Sequence, residues 1–446
     1  VGVIPCLMIV PAAARLGEVS MWKVNTLRIG VTLFLLLSGT IVHAQSRAPG
    51  DGGMISLQQA LARTMARNPE LVAFGHQFQA QDGRVLQAGL APNPELSVMV
   101  ENALGTGEFS GTDNAETTVS IAWVLERGVR QRRVDTARAG VSLLAVEADI
   151  MRLDAAAETA RLFFLYLARE AEKVSATEAV QLAEETVQAV QKRVRAGKSP
   201  QAELARARAE LARMKLNQED MEHELLSAGR RLAAQWGETE PGFTRLQGDL
   251  MTLPATESFA TLKARIDQNP DFARFLSKQR VDEAQLHLAR AQRKPNWRVS
   301  AGVRRLEITN DEALVANISL PLTLRNKNQG AIAEAQANLA QTNADAMAAR
   351  VRMETSLFVM YQELLHSLHR ATTFRDDVIP RIEQALTDTR HAYELGRYSY
   401  FEWRTVQEDL LEARSELVEA SLDAHQNVIE IERLTGVRIA QPASSP

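Results

Sequence analysis

An internal repeat limits the architectures open to this chain more than any other pattern in it. The segment 68–74 (Asn-Pro-Glu-Leu-Val-Ala-Phe) is answered by the segment 269–275 (Asn-Pro-Asp-Phe-Ala-Arg-Phe), at an offset of 269 − 68 = 201. Farther along, Gly197 is answered by Gly396 at an offset of 396 − 197 = 199. Landmarks that keep their order and spacing indicate a duplicated structural unit. We predict two homologous halves, residues 55–240 and 257–437, with a linker at 241–256 and a tail at 438–446.

The first 44 residues have the pattern of a secretory signal. A basic stretch precedes the short apolar run 29–42, and small residues follow up to Ala44. This pattern predicts a signal peptide over residues 1–44, cleaved after Ala44. Met21 stands where such a signal would begin, so residues 1–20 are interpreted as an over-extended start. A membrane anchor is the alternative, and the shortness of the run argues against it. No cysteine-containing lipidation sequence surrounds the cleavage position, so a lipid anchor is not predicted.

Composition and side-chain chemistry exclude several function classes. The chain has 51 basic and 55 acidic side chains, which argues against a nucleic-acid partner. A single cysteine excludes a disulfide framework or a cysteine-rich metal site. His366 and His369 lie three residues apart on one helical face, yet their surroundings are typical of a solvated polar stripe. Since no catalytic triad or phosphate-binding loop is evident, we predict no enzyme activity, no cofactor and no metal site.

Each half contains two short stretches in which apolar and polar residues alternate. They run over 96–101 and 118–123 in the first half, and over 297–304 and 314–320 in the second. A period of two is typical of strands with one apolar face, and a Gly-rich or polar loop separates the members of each pair. The pattern predicts one hairpin per half. Before each hairpin we predict a single helix, at 57–91 and at 259–293.

After each hairpin, the sequence continues into a helical stretch nearly free of helix breakers, at 129–196 and at 330–395. At 1.5 Å per residue each stretch would be roughly 100 Å long. Its alanine- and charge-rich composition, with apolar residues at spacings of three and four, is typical of coiled-coil-like packing. A glycine turn at Gly197 or Gly396 then reverses the chain into a return helix.

Two isolated hairpins cannot bury their apolar faces unaided. In an exported protein, a membrane-spanning barrel removes the strand edges and places those faces in lipid. Four strands per chain are too few to close one. Three copies would give twelve strands, roughly the number at which a closed barrel leaves a water-filled lumen. The predicted fold is therefore mainly α with a β-barrel contribution, completed in a homotrimer and surrounded by outer-membrane lipid.

This order of elements resembles the TolC family of outer-membrane efflux ducts over nearly the whole chain behind the predicted signal. The segment 318–335 is similar to the strand-to-helix junction of the heavy-metal branch of that family, typified by the outer-membrane components of cobalt–zinc–cadmium exporters. Asn328, Gln329 and Gly330 form the subfamily motif, whereas Trp123 stands where that branch usually has proline.

The resemblance implies a passive duct of a tripartite efflux system that conducts heavy-metal cations. It implies a homotrimer in the cell outer membrane with a large periplasmic portion. Its partners would be a periplasmic adaptor protein and an inner-membrane resistance-nodulation-division pump. A duct for organic drugs or solvents is the alternative. A periplasmic adaptor is disfavoured by the duplication, and a structural coiled coil is disfavoured by the hairpins.

Two acids, Glu203 and Glu402, occupy equivalent positions, each six residues after a turn glycine. In the family, the corresponding positions line or latch the closed periplasmic end. The resemblance therefore implies a gate formed by Glu203 and Glu402, with Tyr393 and Arg397 or Arg195 as latch partners. Repeated in a trimer, such acids would favour cations. The alternative is that both are ordinary surface acids.

The resemblance implies that the turns themselves contact the adaptor. The residues concerned are Gly197, Lys198, Ser199, Gly396, Tyr398 and Ser399. Aromatic side chains at an exposed turn favour a contact surface. The alternative is a pair of plain helix-reversing turns, because glycine followed by serine or proline requires no partner.

Overall fold

The computed structural model describes residues 53–436. The predicted signal peptide at 1–44 and the predicted tail at 438–446 lie outside the described residues. Helices dominate the described part, in agreement with the predicted mainly α fold. None of the helices within residues 53–436 is both long enough and apolar enough to cross a membrane.

The elements follow one another in the same order in both halves. The first half contains β1 (Met54–Ser56), α1 (Leu57–Arg67), α2 (Pro69–Gly89), β2 (Glu95–Glu101), β3 (Glu116–Leu125), α3 (Val129–Arg195) and α4 (Gln201–Ala234). The second half, together with the connection before it, contains β4 (Arg245–Gln247), α5 (Phe259–Arg265), α6 (Pro270–Gln292), β5 (Trp297–Leu306), β6 (Asp311–Ser319), α7 (Gln329–Thr373), α8 (Ile379–Glu394) and α9 (Tyr400–Thr435).

The single helices predicted before the hairpins, at 57–91 and 259–293, are wrong. The chain leaves the helical conformation at Asn68 (φ −58°, ψ 124°) and at Asn269 (φ −67°, ψ 133°). Both residues precede a proline, whose ring disfavours the helical conformation of the residue before it. Asn68 then accepts hydrogen bonds from the N–H groups of Glu70 and Leu71, and Asn269 accepts one from the N–H of Asp271, so each break is also a helix start.

These asparagines make equivalent contacts in the two halves. The Asn68 side chain donates to the carbonyl of Gln235 at 2.9 Å, where α4 ends. The Asn269 side chain donates to the carbonyls of Arg433 at 2.9 Å and Leu434 at 2.6 Å, where α9 ends. In each half the landmark therefore fastens the beginning of one helix to the end of the return helix.

The long helices have the predicted lengths with one irregularity. The first is the 67-residue α3, which ends at Arg195. The second consists of α7 and α8, joined by a π-helical stretch at Phe374–Val378. Pro380 lies at the beginning of α8 and has no N–H to donate to the preceding turn. The helical hydrogen-bond ladder therefore widens just before it.

One four-stranded antiparallel sheet joins the two halves in the order β2-β3-β5-β6. Its register aligns Val98, Val119, Val303 and Leu314 in one row across all four strands. Because side chains alternate between faces, this row belongs to a continuous apolar face. The opposite face is polar, and there Arg304 pairs with Glu116 at 2.8 Å and with Glu101 at 3.3 Å.

The segment at 241–256 packs into the core. Its strand β4 pairs in parallel with β1. Phe243, Leu246 and Leu250 are buried in one cluster with Phe163 of α3 and Trp236 at the end of α4. The connection between the halves is thus fixed against the long helices.

Candidate functional site

The two turns that reverse the long helices have the same backbone geometry. Gly197 (φ +67°) and Gly396 (φ +80°) adopt the left-handed conformation that glycine reaches without strain. The N–H of Lys198 donates to the carbonyl of Arg193 at 2.9 Å, and the N–H of Arg397 donates to the carbonyl of Ala392 at 2.9 Å. This pattern ends a helix by satisfying its last carbonyls.

A single guanidinium, that of Arg193, connects the two turns. Its Nη1 donates to the carbonyl of Tyr393 at 2.5 Å, and its Nε donates to the Ser199 hydroxyl at 3.2 Å. The same group lies over the Tyr393 ring, 4.7 Å from the ring centroid. A cation in this position is attracted by the π-system as well as by the carbonyl. Arg193 therefore holds the end of α8 against the end of α3.

Arg193 is not among the latch partners predicted from the sequence, which include Arg195 and Arg397. Arg195 and Arg397 are exposed, and neither side chain makes a hydrogen bond or ion pair with the rest of the described chain. Arg193 stands four residues before Gly197, a spacing that places its side chain on the helical face nearest the turn. That spacing can be read from the sequence, but the contact between Arg193 and Tyr393 depends on how the second half packs against the first.

Tyr393 is the centre of a small aromatic core. It is 1% exposed, and its ring lies 5.0 Å from that of Trp403 at the start of α9. Tyr400 and Leu204 are buried in the same cluster. Burial raises the pKa of the Tyr393 phenol, so this side chain stays neutral. The core therefore ties together the ends of all four helices that meet at the turns.

The two predicted gate acids differ in their surroundings. The Glu402 carboxylate accepts from the Ser399 N–H at 2.7 Å and from its hydroxyl at 2.8 Å, and the Ser399 hydroxyl accepts from the Glu402 N–H. The hydrogen bond from the Ser399 N–H lowers the pKa of Glu402. Glu203 is half-buried, and its Oε2 is shielded from solvent without a hydrogen-bond partner in the described chain. Its charge is felt by Tyr393, where it helps to raise the pKa of the phenol.

The predicted adaptor-contact residues differ in their exposure to solvent. Gly197, Lys198, Gly396, Tyr398 and Ser399 are exposed, whereas Ser199 is half-buried against Arg193. The second turn also exposes Leu395 and Phe401 beside Tyr398. Its surface is therefore more apolar than that of the first turn.

The motif at 328–330 fastens the strand-to-helix junction. Asn328 is left-handed (φ +57°) at the start of α7, and its side chain donates to the Ala289 carbonyl of α6 at 2.8 Å. The Gln329 side chain accepts from the N–H of Lys327 at 2.8 Å. Around Gly330 there is open space where a Cβ would lie. The Asn328 contact is the part of the motif that holds two helices together.

Different residues fix the equivalent strand-to-helix junction in the first half. Gly128 (φ +79°) begins α3 in place of an asparagine. Arg133 donates to the Leu90 carbonyl behind α2 at 3.2 Å and pairs with Glu126 at 2.6 Å. A charged pair thus replaces the amide contact made by Asn328.

The part of the chain at 53–436 contains no cluster of histidine, cysteine or acidic side chains that could hold a metal ion. His366 and His369 are both exposed on α7.

The family model described as outer membrane efflux protein matches this chain twice, at residues 58–238 and 262–437. The chain belongs to the outer membrane efflux protein family. Membership confirms the resemblance drawn from the sequence, and it confirms that the protein is not an enzyme.

Relatives of this efflux protein include heavy-metal resistance proteins. It is 27% identical over 384 residues to the cobalt-zinc-cadmium resistance protein CzcC of Cupriavidus metallidurans, covering 86% of this chain and 90% of that one. It is 27% identical to the nickel-cobalt-cadmium resistance protein NccC of Alcaligenes xylosoxydans xylosoxydans, covering 72% and 73%.

Among solved structures, this efflux protein shares its fold with CusC. The TM-score is 0.71 at 15% identity, with 86% of this chain and 92% of that chain covered. The work on CusC describes conformational changes that accompany folding and transmembrane channel formation. This likeness establishes the fold.

Proposed function

We propose that this outer membrane efflux protein is the duct of a tripartite efflux system. In this proposal, residues 55–240 and 257–437 are homologous units, and three copies of the chain join their sheets into a twelve-stranded barrel. The duct lies in the cell outer membrane, with its long helices in the periplasm. It passively conducts heavy-metal cations delivered by an inner-membrane resistance-nodulation-division pump and a periplasmic adaptor.

The sheet is the observation that carries this proposal. Within the described residues, β2 and β6 are each paired on one side only. Leu96 of β2 is 73% exposed and Leu314 of β6 is 90% exposed, both on the apolar face. Open edges and a bare apolar face are costly in water. Pairing β2 of one copy with β6 of the next would close every edge and turn the apolar face toward lipid.

The turns support a gate at the other end of the duct. The proposed gate contains Glu203 and Tyr393, and Arg193 holds Tyr393 in place. Glu402, Arg195 and Arg397 are exposed there and available to a neighbouring copy. The exposed residues of both turns form the proposed adaptor contact, with Leu395, Tyr398 and Phe401 as its apolar part. A rearrangement of the Arg193 contacts would separate the two helix pairs and open the end.

Heavy-metal cations are the proposed cargo because the relatives named above are cobalt-zinc-cadmium and nickel-cobalt-cadmium resistance proteins. A passive duct requires weak contacts with its cargo, since tight binding would slow conduction.

The assembly can be tested by disulfide cross-linking between copies. The single natural cysteine, Cys6, lies in the predicted signal peptide. We expect a chain carrying Ser97→Cys in β2 together with Val315→Cys, Asn317→Cys or Ser319→Cys in β6 to form covalent trimers on oxidation. Each cysteine alone is the control, because the proposed contact joins β2 to β6. A chain that stays monomeric in the soluble periplasmic fraction would contradict the proposal.

A further inference from the structure

A band of basic side chains surrounds the edge of the sheet from which the helices depart. The register pairs Glu95 with Ala122, Leu125 with Trp297, and Arg298 with Ser319, so all four strands end at this edge. The exposed basic residues just beyond the strand ends are Arg127, Arg130, Arg293, Lys294, Arg325 and Lys327. We call these six residues the basic collar.

One contact between the halves and one within the second half hold the collar at one level. The Arg127 guanidinium lies over the Trp297 ring, 5.3 Å from its centroid, which places the end of β3 beside the start of β5. The Asn328 side chain bonds to the Ala289 carbonyl, which places the start of α7 beside the end of α6. The collar residues are distant in sequence and lie together only in the folded chain.

The collar's charge is not neutralised within the described chain. None of its six side chains forms an ion pair there, whereas the neighbouring acids are already paired. Glu126 binds Arg133 through two hydrogen bonds of 2.6 and 2.9 Å, and Glu95 binds Arg298. The next acid of α7 beyond the junction is Glu334, more than one helical turn after Gln329. This edge therefore carries a net positive charge.

Apolar side chains lie directly beside the collar. Leu322 and Leu324, in the connection from β6 to α7, are 76% and 77% exposed. Trp123 and Trp297 are on the apolar face of the sheet near the same edge. The indole N–H of Trp297 is shielded from solvent and has no partner in residues 53–436. Tryptophan beside basic residues is typical of the boundary between the hydrocarbon core of a bilayer and its head groups.

We infer that the basic collar binds the phosphate head groups of anionic phospholipids in the periplasm-facing leaflet. The guanidinium and ammonium groups pair with the phosphates, while the acyl chains lie along the apolar face. This inference rests on the proposed function, because it requires the sheet to lie in a bilayer. Three copies would surround the barrel with a continuous positive ring.

Lipid retention from mixed nanodiscs tests this inference. The full-length protein is reconstituted in nanodiscs of equal phosphatidylglycerol and phosphatidylcholine, extracted in mild detergent, and its retained lipids are counted by native mass spectrometry. We expect phosphatidylglycerol to be retained roughly tenfold over phosphatidylcholine. The triple variant Arg127→Gln, Lys294→Gln, Lys327→Gln should bring this ratio close to one.

The matched control removes the same charge elsewhere. Arg206→Gln, Arg208→Gln, Arg230→Gln changes three exposed basic residues of α4 and should keep the wild-type ratio. Equal retention of both lipids by the wild type, or an unchanged ratio in the collar variant, would overturn the inference. So would loss of phosphatidylglycerol caused by inorganic phosphate but not by chloride at equal ionic strength, which would indicate an anion site.

The same experiment distinguishes the inference from the proposed function. Protein that co-elutes with nanodiscs but shows no lipid preference contradicts the collar alone. Protein that never enters nanodiscs of either lipid contradicts the membrane duct itself.

Discussion

Side chains in equivalent positions of the two halves perform different tasks. Glu203 and Glu402 are both third in their return helices, but Ser399 precedes one helix and Pro200 precedes the other. A serine can exchange hydrogen bonds with the acid three residues later, and a proline cannot. Glu402 therefore caps its helix through Oε2 alone, whereas the Oε2 of Glu203 is shielded from solvent and the charge of Glu203 acts on Tyr393. The two acids are equivalent by position only.

Arg193→Ala is expected to loosen the contact between the turns. It removes the hydrogen bonds to the Tyr393 carbonyl and the Ser199 hydroxyl and uncovers the Tyr393 ring. In planar bilayers, we expect a higher open probability at rest than in the wild type. Lys192→Ala is the control, because it removes an equal charge from an exposed position of α3 that is not part of the proposed gate. Equal leak from both variants would rule out the Arg193 contact as the connection between the turns.

Glu432 is expected to make stability fall as the pH rises. Burial raises its pKa from 4.5 to about 7, so the folded protein binds a proton that the unfolded chain has already lost. Its contribution is therefore fully present below pH 4.5 and is lost as the pH rises through about 7. Glu432→Gln imitates the protonated form, and above pH 7 it should be more stable than the wild type by roughly 3 kcal/mol.

Denaturant unfolding of the wild type and of Glu432→Gln between pH 4 and pH 8 measures this difference. Glu412→Gln, at an exposed position of α9, controls for the loss of a surface charge. A Glu432→Gln advantage that does not grow with pH would show that the carboxyl is ionised in the folded protein.

Helix ends, rather than helix interiors, differ most between the two halves. Asn328 at the start of α7 and Arg133 near the start of α3 fasten equivalent junctions through an amide and a charged side chain. At the opposite ends of α2 and α6, Asn68 and Asn269 make the same contact in both halves, with the end of the return helix. The two halves thus share the geometry of each junction and differ in the chemistry of one.

Asn328 offers a test of its junction. Asn328→Gly keeps the left-handed backbone but loses the hydrogen bond to Ala289, and should destabilise the protein by about 1 kcal/mol. Asn328→Ala loses the same hydrogen bond and also disfavours the left-handed backbone conformation. It should therefore lower the free energy of unfolding by roughly 1 kcal/mol more than Asn328→Gly. Gly330→Ala is the control, since a Cβ there enters open space and the substitution should be neutral or slightly stabilising. Thermal unfolding that ranks Gly330→Ala with Asn328→Ala would contradict the assigned contact.

For the complete assembly, the proposal gives opposite outcomes for two exposed positions on one strand. Leu314 and Asn317 of β6 are both exposed in one chain but lie on opposite faces of the sheet. Leu314→Arg puts a charge on the proposed lipid face, at a cost of roughly 2–4 kcal/mol near the middle of the bilayer. It should reduce the heat-modifiable trimer in the outer-membrane fraction, whereas Asn317→Arg should assemble normally. Equal assembly of both would argue against a lipid-facing sheet.

Local patterns in the sequence were sufficient for the strands, the long helices and the glycine turns. Alternation over 297–304 and the absence of breakers over 129–196 depend only on neighbouring residues, and the structure has a strand and a helix there. Helical periodicity continues on both sides of Asn68 and Asn269 and so does not predict the breaks there, although each asparagine precedes a proline.

Contacts across the two halves could be read only from the folded chain. The pairing of β3 with β5, the meeting of Arg193 with Tyr393 and the basic collar each join residues far apart in sequence. Periodicity assigns a side chain to a face of its own element but does not say which distant element packs against that face. That choice depends on how all the apolar faces are buried together, which is a property of the whole packed structure.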